Sequence, residues 1–277
     1  MIFLAFLLLG SACNSIDDSQ KLNRKRILFL HHSTGRIIWE GGKPSLFEKV
    51  KRKLTGKKGM QEWFDRFNKE SRKNYSITDL VFPKQEPYGW KNYPYDYYNI
   101  WVKNGGDSLY KEEPTLEILT KNYDVIIFKH CFPGSNIVDN FDNSDIDSQV
   151  KTLGNYKLQY NALKAKLHQY TNTIFIVWTG AALTEKSTTP ENAERAKQFN
   201  HWVVNDWDEP NDNIYVWDFN SLETEGTLFL KDKYAEAPDN SHPNSEFAKK
   251  VMPLFCNRIV DIIENGGAKT MLTGELK

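Results

Sequence analysis

The chain has 277 residues, and its 36 Lys and Arg balance 36 Asp and Glu to a formal net charge of zero. That balance excludes a nucleic-acid binder working through bulk electrostatics. With 40% hydrophobic and 26% charged residues the chain is neither a polytopic membrane protein nor disordered, and three cysteines are too few for a disulfide-built scaffold.

In chain order, the first predicted element is the apolar run Ile2–Leu9, closed by Gly10-Ser11-Ala12-Cys13. It is too short to span a bilayer, which takes about 20 apolar residues. Small residues after a short apolar run read as a secretory signal over residues 1–12. The polar stretch from Asn14 to Lys25 reads as a tether, so residues 13–25 link an anchor to one domain over residues 26–277.

Strands are predicted at Arg26–Leu30, Ser76–Phe82, Asp124–Phe128, Thr173–Trp178 and Ile214–Phe219. The third and fourth are nearly continuous apolar runs, as parallel strands covered on both faces require. Helical spacing links Tyr156, Tyr160, Leu163 and Leu167. A second helix starts at Thr189-Pro190 and turns Ala193, Ala196, Phe199 or Asn200, and Val203 inward. The last begins near Asn244-Ser245 and ends at Asn265-Gly266-Gly267, with Pro253 expected to kink or break it. Strand–helix alternation of this kind argues for an α/β fold with a parallel sheet flanked by helices on both faces.

Two stretches stand outside this alternation. The basic run Lys49–Lys58 reads as a solvated helix face and loop. From Pro83 to Asn122 there is little periodicity, and Tyr88, Trp90, Tyr93, Tyr95, Tyr97, Tyr98 and Trp101 cluster there. A loop region of that length is usually functional. Its rings suit either stacking on sugars at a rim or packing onto the sheet.

In open α/β sheets, ligands bind beyond the carboxyl ends of the strands. The first predicted strand ends in His31-His32-Ser33-Thr34-Gly35, which exposes Ser33 at that edge as a candidate nucleophile. A hydroxyl needs a base to take its proton, and the base needs a group that fixes its tautomer. Asp239-Asn240-Ser241-His242-Pro243-Asn244 offers both, with Asp239 and His242 three apart on a turn before the last helix. A backbone carbonyl is the other possible orienter of His242. Two-residue spacing puts His31 on the Ser33 side as a pocket residue and turns His32 away. Lys129 and His130 end the third strand at the same edge, so at least one of them is expected to face the cleft. Cys131 reads more readily as a buried structural thiol than as a nucleophile. His31, His130, Asp239 and His242 lack the ligand spacing of a zinc site, so no metal is expected. In an oxidising compartment Cys131 and Cys256 are free to pair, and the sequence leaves open whether they meet.

A first strand ending in a serine, together with the late Asp-x-x-His-Pro-Asn turn, resembles the SGNH (GDSL-like) hydrolases, over Arg26 to about Glu264. The resemblance implies a flavodoxin-like three-layer sandwich of about five parallel strands that carries an esterase or lipase. Carried over, Ser33 is the nucleophile, His242 the base and Asp239 its orienter. The family's oxyanion hole uses the N–H after the serine, here that of Thr34, a glycine after the second strand and an asparagine after the third. Gly105 is the candidate glycine; Cys131 falls near the asparagine position and Asn136 follows a few residues later. No metal or organic cofactor is implied.

The ending Leu-Gly-Ser-Ala-Cys resembles a bacterial lipoprotein signal, which implies a lipid on Cys13 and a cell-envelope location, periplasmic or surface-exposed. The expectation is a lipid-anchored serine hydrolase acting on an acyl ester. The anchored location and the aromatic stretch favour an acylated glycan as substrate. The alternative is an SGNH-like domain that binds a glycan or a surface partner without turnover.

Overall fold

Five runs rich in β-branched and aromatic residues pair into one parallel sheet: β1 (Arg24–His31), β2 (Asn74–Val81), β3 (Val125–Phe128), β4 (Ile174–Trp178) and β5 (Ile214–Trp217). The structure is a computed structural model that describes residues 24–139 and 143–277. The signal, Cys13 and most of the tether lie outside the described residues. Arg24 and Lys25, expected in the tether, begin β1 and pair with Asn74 and Tyr75.

The strand order is β2-β1-β3-β4-β5, the flavodoxin-like order. The order reverses at β1, which has β2 on one side and β3 on the other, so the crevice for a ligand opens beyond the end of β1. Because side chains alternate along a strand, the sheet feeds two cores. Leu28, Leu30, Ile126, Phe128, Phe175 and Val177 face one layer. That layer holds α4 (Pro94–Tyr97), which continues as a π-helical turn at Tyr98–Lys103, then α5 (Leu116–Asn122), α6 (Leu153–Leu167) and α7 (Pro190–Trp202). Ile27, Phe29, Val125, Ile127, Ile176 and Trp178 face the other. There α1 (Ser33–Glu40), α3 (Gly59–Ser71), α8 (Phe219–Thr224) and α9 (Ser245–Asn265) pack. One further helix, α2 (Leu46–Thr55), buries none of its residues. Among the described residues no helix is long and apolar enough to cross a membrane.

Local chemistry sets the helix ends. Thr189 Oγ1 accepts from the Asn192 N–H at the start of α7, with Pro190 in the first position, and Asn244 Oδ1 accepts from the Phe247 N–H at the start of α9. Gly266, at φ 60°, closes α9 in the left-handed region that favours glycine. Pro253 does not break α9, which is one element of 21 residues. The carbonyl it leaves without an intrahelical donor belongs to exposed Lys249, where water reaches it, while buried Val251, Phe255 and Ile259 hold both halves on the sheet.

Most of the aromatic stretch is core, while Tyr88 stays exposed and, with Trp90, Tyr93 and Tyr95, lines a surface groove of about 210 Å³. Trp90, Tyr93, Tyr97, Tyr98 and Trp101 are buried, and Tyr97 and Trp101 pack against Phe128 of β3. Cys131 and Cys256 are both buried and unpaired: Cys131 sits beside Lys129 after β3, and Cys256 sits on α9 against Met252.

Candidate active site

The site begins with how α1 leaves β1. His32 is the N-cap residue of α1, in extended conformation, and Ser33 is the first helical residue. The first turn of α1 lies directly on the end of β1. A Cβ on Gly35 would come within 2.3 Å of the His31 Cβ and 3.0 Å of the Lys129 Cδ, so only glycine allows this approach. His32 makes no side-chain cap, so the N–H groups at the start of α1, including that of Thr34, have neither a capping side chain nor an intrahelical acceptor.

Facing Ser33 is a hairpin of β6 (Ala235–Ala237) and β7 (Asn240–Pro243), which precedes α9. The segment expected as a turn is therefore mostly strand, and the difference decides which residue reaches the histidine. Residues two apart on a strand share a face, and residues three apart do not. Asn240, not Asp239, stands beside His242. Asp239 is exposed at the hairpin tip, where its carbonyl accepts from Ser187 Oγ at 3.4 Å.

Ser33 Oγ lies 2.8 Å from His242 Nε2, and Asn240 Oδ1 lies 2.7 Å from His242 Nδ1. The same Oδ1 accepts from the His242 backbone N–H at 3.1 Å, which identifies it as the oxygen of the amide. Nδ1 must then carry the proton it donates to Asn240, and Nε2 is left with a lone pair aimed at the serine hydroxyl. That is the tautomer a general base requires. Burial, followed by the positive charge of Lys129, pushes the His242 imidazole below its usual value, against a smaller opposing pull from Glu236. Phe132, just after β3, meets the imidazole edge-on with ring centroids 4.8 Å apart. Beside His242 a groove of about 360 Å³ opens between Ile37 and Pro44 on one side and Glu236, Asn240 and Pro243 on the other.

The other expected site residues fall in different places. His31 is fully buried beneath α1 rather than in the groove. Its Nδ1 contacts the His32 carbonyl at 3.0 Å and its Nε2 contacts Asp79 Oδ2 at 3.2 Å. The two-residue alternation that put it beside Ser33 ends where the strand becomes a helix. His32 bonds through Nε2 to the Pro83 carbonyl. Lys129 is buried, 3.5 Å from Cys131 Sγ and 6.0 Å from the centre of the Trp178 ring, with no ion-pair partner among the described residues. His130 turns into the opposite core against Tyr160, and burial, then Lys129, pushes it down to about 3.

Gly105 is not at this edge. It packs against the Trp101 carbonyl, Glu117 and Lys166, and Lys166 lies at the end of α6 that leads back to the start of β4. Asn136 Oδ1 accepts from Thr188 Oγ1 at 2.7 Å and Asn192 Nδ2 at 3.0 Å, which ties it to the start of α7. Of the expected oxyanion donors, the Thr34 N–H is the one that lies next to Ser33. The Thr34 side chain is buried and its hydroxyl has no partner.

Asn240, Phe132 and Glu236 are the site residues that a reading of the sequence misses. The alternation Asn-x-His within an extended segment was the available signal for the first. Among the described residues, one group has the side chains to hold a metal ion: His168, Glu209 and Asp212, at the amino-terminal edge of β5 and away from Ser33.

No model of a known protein family and no curated protein matches the chain.

Proposed function

We propose that this protein is a serine hydrolase of the SGNH type that cleaves ester-linked acyl groups. The observation that carries the reading is the relay from Asn240 Oδ1 through His242 to Ser33 Oγ, with hydrogen bonds of 2.7 and 2.8 Å in the direction that activates the hydroxyl. Ser33 Oγ attacks the ester carbonyl as His242 Nε2 takes its proton. The imidazolium then protonates the leaving alcohol, and an acyl-Ser33 intermediate remains. Water, deprotonated by His242, attacks that acyl group; the acyl–Oγ bond breaks, the carboxylic acid leaves, and the imidazolium returns its proton to Ser33 Oγ. In this reading the N–H of Thr34, at the positive end of α1, stabilises the oxyanion.

The proposed setting is the cell envelope, with a lipid anchor on Cys13 and an acylated glycan as substrate. The anchor rests on the Leu-Gly-Ser-Ala-Cys ending. The glycan rests on that anchored location and on Tyr88, which stays exposed while most of the aromatic stretch is buried in the core.

The test is hydrolysis of a panel of short acyl esters by the full chain and by Ser33→Ala, with folding of both checked by circular dichroism. Turnover that falls by about a thousandfold or more in the variant supports the reading. Equal turnover in both removes Ser33 from the mechanism. No turnover in either favours a domain that binds its ligand without chemistry.

A further inference from the structure

Helix α2 is built inside out. A surface helix normally turns its apolar stripe to the core and its charges to water. In α2, Glu48 and Arg52 turn toward the body of the protein. Arg52 Nη2 donates to the Glu40 carbonyl at 2.7 Å, and Glu48 closes a capping box with Ser45. On the outward face Leu46, Phe47, Val50 and Leu54 are 82, 79, 60 and 82% exposed. At 100° per residue these four fall within about 100° of arc, with Lys53 and Lys49 on one flank and Lys51 on the other. Residues 43–58 carry seven Lys or Arg and a single acidic residue, Glu48, in a chain whose net charge is zero. Lys51 pairs with Glu62 at 3.0 Å, whereas Lys49 and Lys53 have no ion-pair partner among the described residues.

An apolar face rimmed by lysines matches one surface closely, that of a bilayer with anionic headgroups. The side chains enter the acyl boundary while the ammonium groups meet the phosphates. A second copy of the chain fits less well, because pairing two such faces would bring the lysine rims together. We infer that α2 is a docking helix for an anionic lipid surface. Lys43 and Pro44, just before α2, line the groove beside His242, so docking sets that groove against the membrane surface. The inference stands on the geometry of α2 and does not depend on the chemistry of Ser33.

The test places an environment-sensitive fluorophore at Val50→Cys in the full chain with Cys13→Ser; Cys131 and Cys256 are buried. A label on α2 reports the helix itself, whatever else in the chain touches lipid. With phosphatidylglycerol vesicles, the emission is expected to shift to the blue and to be quenched by a lipid-borne quencher. Adding Lys49→Glu, Lys51→Glu and Lys53→Glu is expected to weaken partitioning by about a hundredfold. Unchanged emission on these vesicles overturns the inference, and so does an equal shift on pure phosphatidylcholine. A blue shift that grows with protein concentration without lipid would assign the face to a second copy, and a label already buried in the dilute free chain would assign it to another segment of this chain. Either result also overturns the inference.

Discussion

His242 donates its Nδ1 proton to the amide of Asn240, its neighbour two residues back on β7, and not to a carboxylate. An amide fixes the ring and its tautomer but adds no negative charge to stabilise the imidazolium that the proposed reaction would form. The nearby charges act in opposite directions, with Lys129 disfavouring the imidazolium and Glu236 favouring it.

Replacing the amide tests its part. Asn240→Ala is expected to lower kcat by on the order of a hundredfold, the lower end of what general base catalysis contributes. Asn240→Asp keeps the oxygen and adds a charge that favours the imidazolium. The acid limb of the profile of kcat/KM against pH should therefore move to higher pH. An unmoved limb in the aspartate variant, with its fold intact, would separate Asn240 from the base.

The charge of Lys129 makes a second, signed prediction. In the parent, kcat/KM should fall only below the usual histidine range, because His242 keeps its lone pair until the pH drops through a depressed value. Lys129→Met removes a positive charge that disfavours the imidazolium. The limb should again shift upward, and titration of the His242 ring by NMR reads the same change without substrate.

Gly35 determines whether Ser33 reaches its position. Gly35→Ala puts a Cβ 2.3 Å from the His31 Cβ, where the contact is with a side-chain root that cannot swing aside. A cost of about 1–3 kcal/mol is expected. It should appear as a Tm several degrees lower, together with loss of turnover. A variant with the parent's Tm and activity would show that α1 is free to lift off β1.

Glu223 in α8 is fully buried, with Oε2 accepting from the Ala182 N–H at 2.7 Å and Oε1 unpartnered. Burial pushes its carboxyl up to about 8, against lesser opposing effects of that hydrogen bond and of Lys129. Between the ordinary carboxylate range and about pH 8, the unfolded chain ionises this group while the folded chain does not. Stability is therefore lost as pH rises through that window. Glu223→Gln should raise Tm at pH 8 by at least about 2 °C and leave it unchanged near pH 4. Equal Tm values at pH 8 would show that the carboxyl is already paired or hydrated.

The sheet was legible in the sequence because parallel strands buried on both faces must be apolar throughout, as Val125–Phe128 and Ile174–Trp178 are. The approach of Ser33 to His242 was legible for a related reason, since both follow from which strand ends share an edge. Asp239 was misread because hairpin and turn cannot be told apart from Asp239-Asn240-Ser241-His242 alone, and the two assignments put different residues beside the histidine. Gly105 was misread because nothing local shows that the chain after Trp101 returns to the far edge of the sheet. The exposed face of α2 was hidden in a run dominated by its lysines, where the spacing of four apolar residues gives no sign of which side meets the protein.

Whether His242 activates Ser33 can be measured without knowing the substrate. The full chain is treated with a fluorophosphonate, which forms a stable adduct with an activated serine, and the modified peptide is located by mass spectrometry. A Ser33 hydroxyl activated by His242 predicts a single adduct on Ser33 that disappears in His242→Ala while that variant stays folded. Absence of labelling on Ser33, or labelling that survives loss of His242, would contradict it.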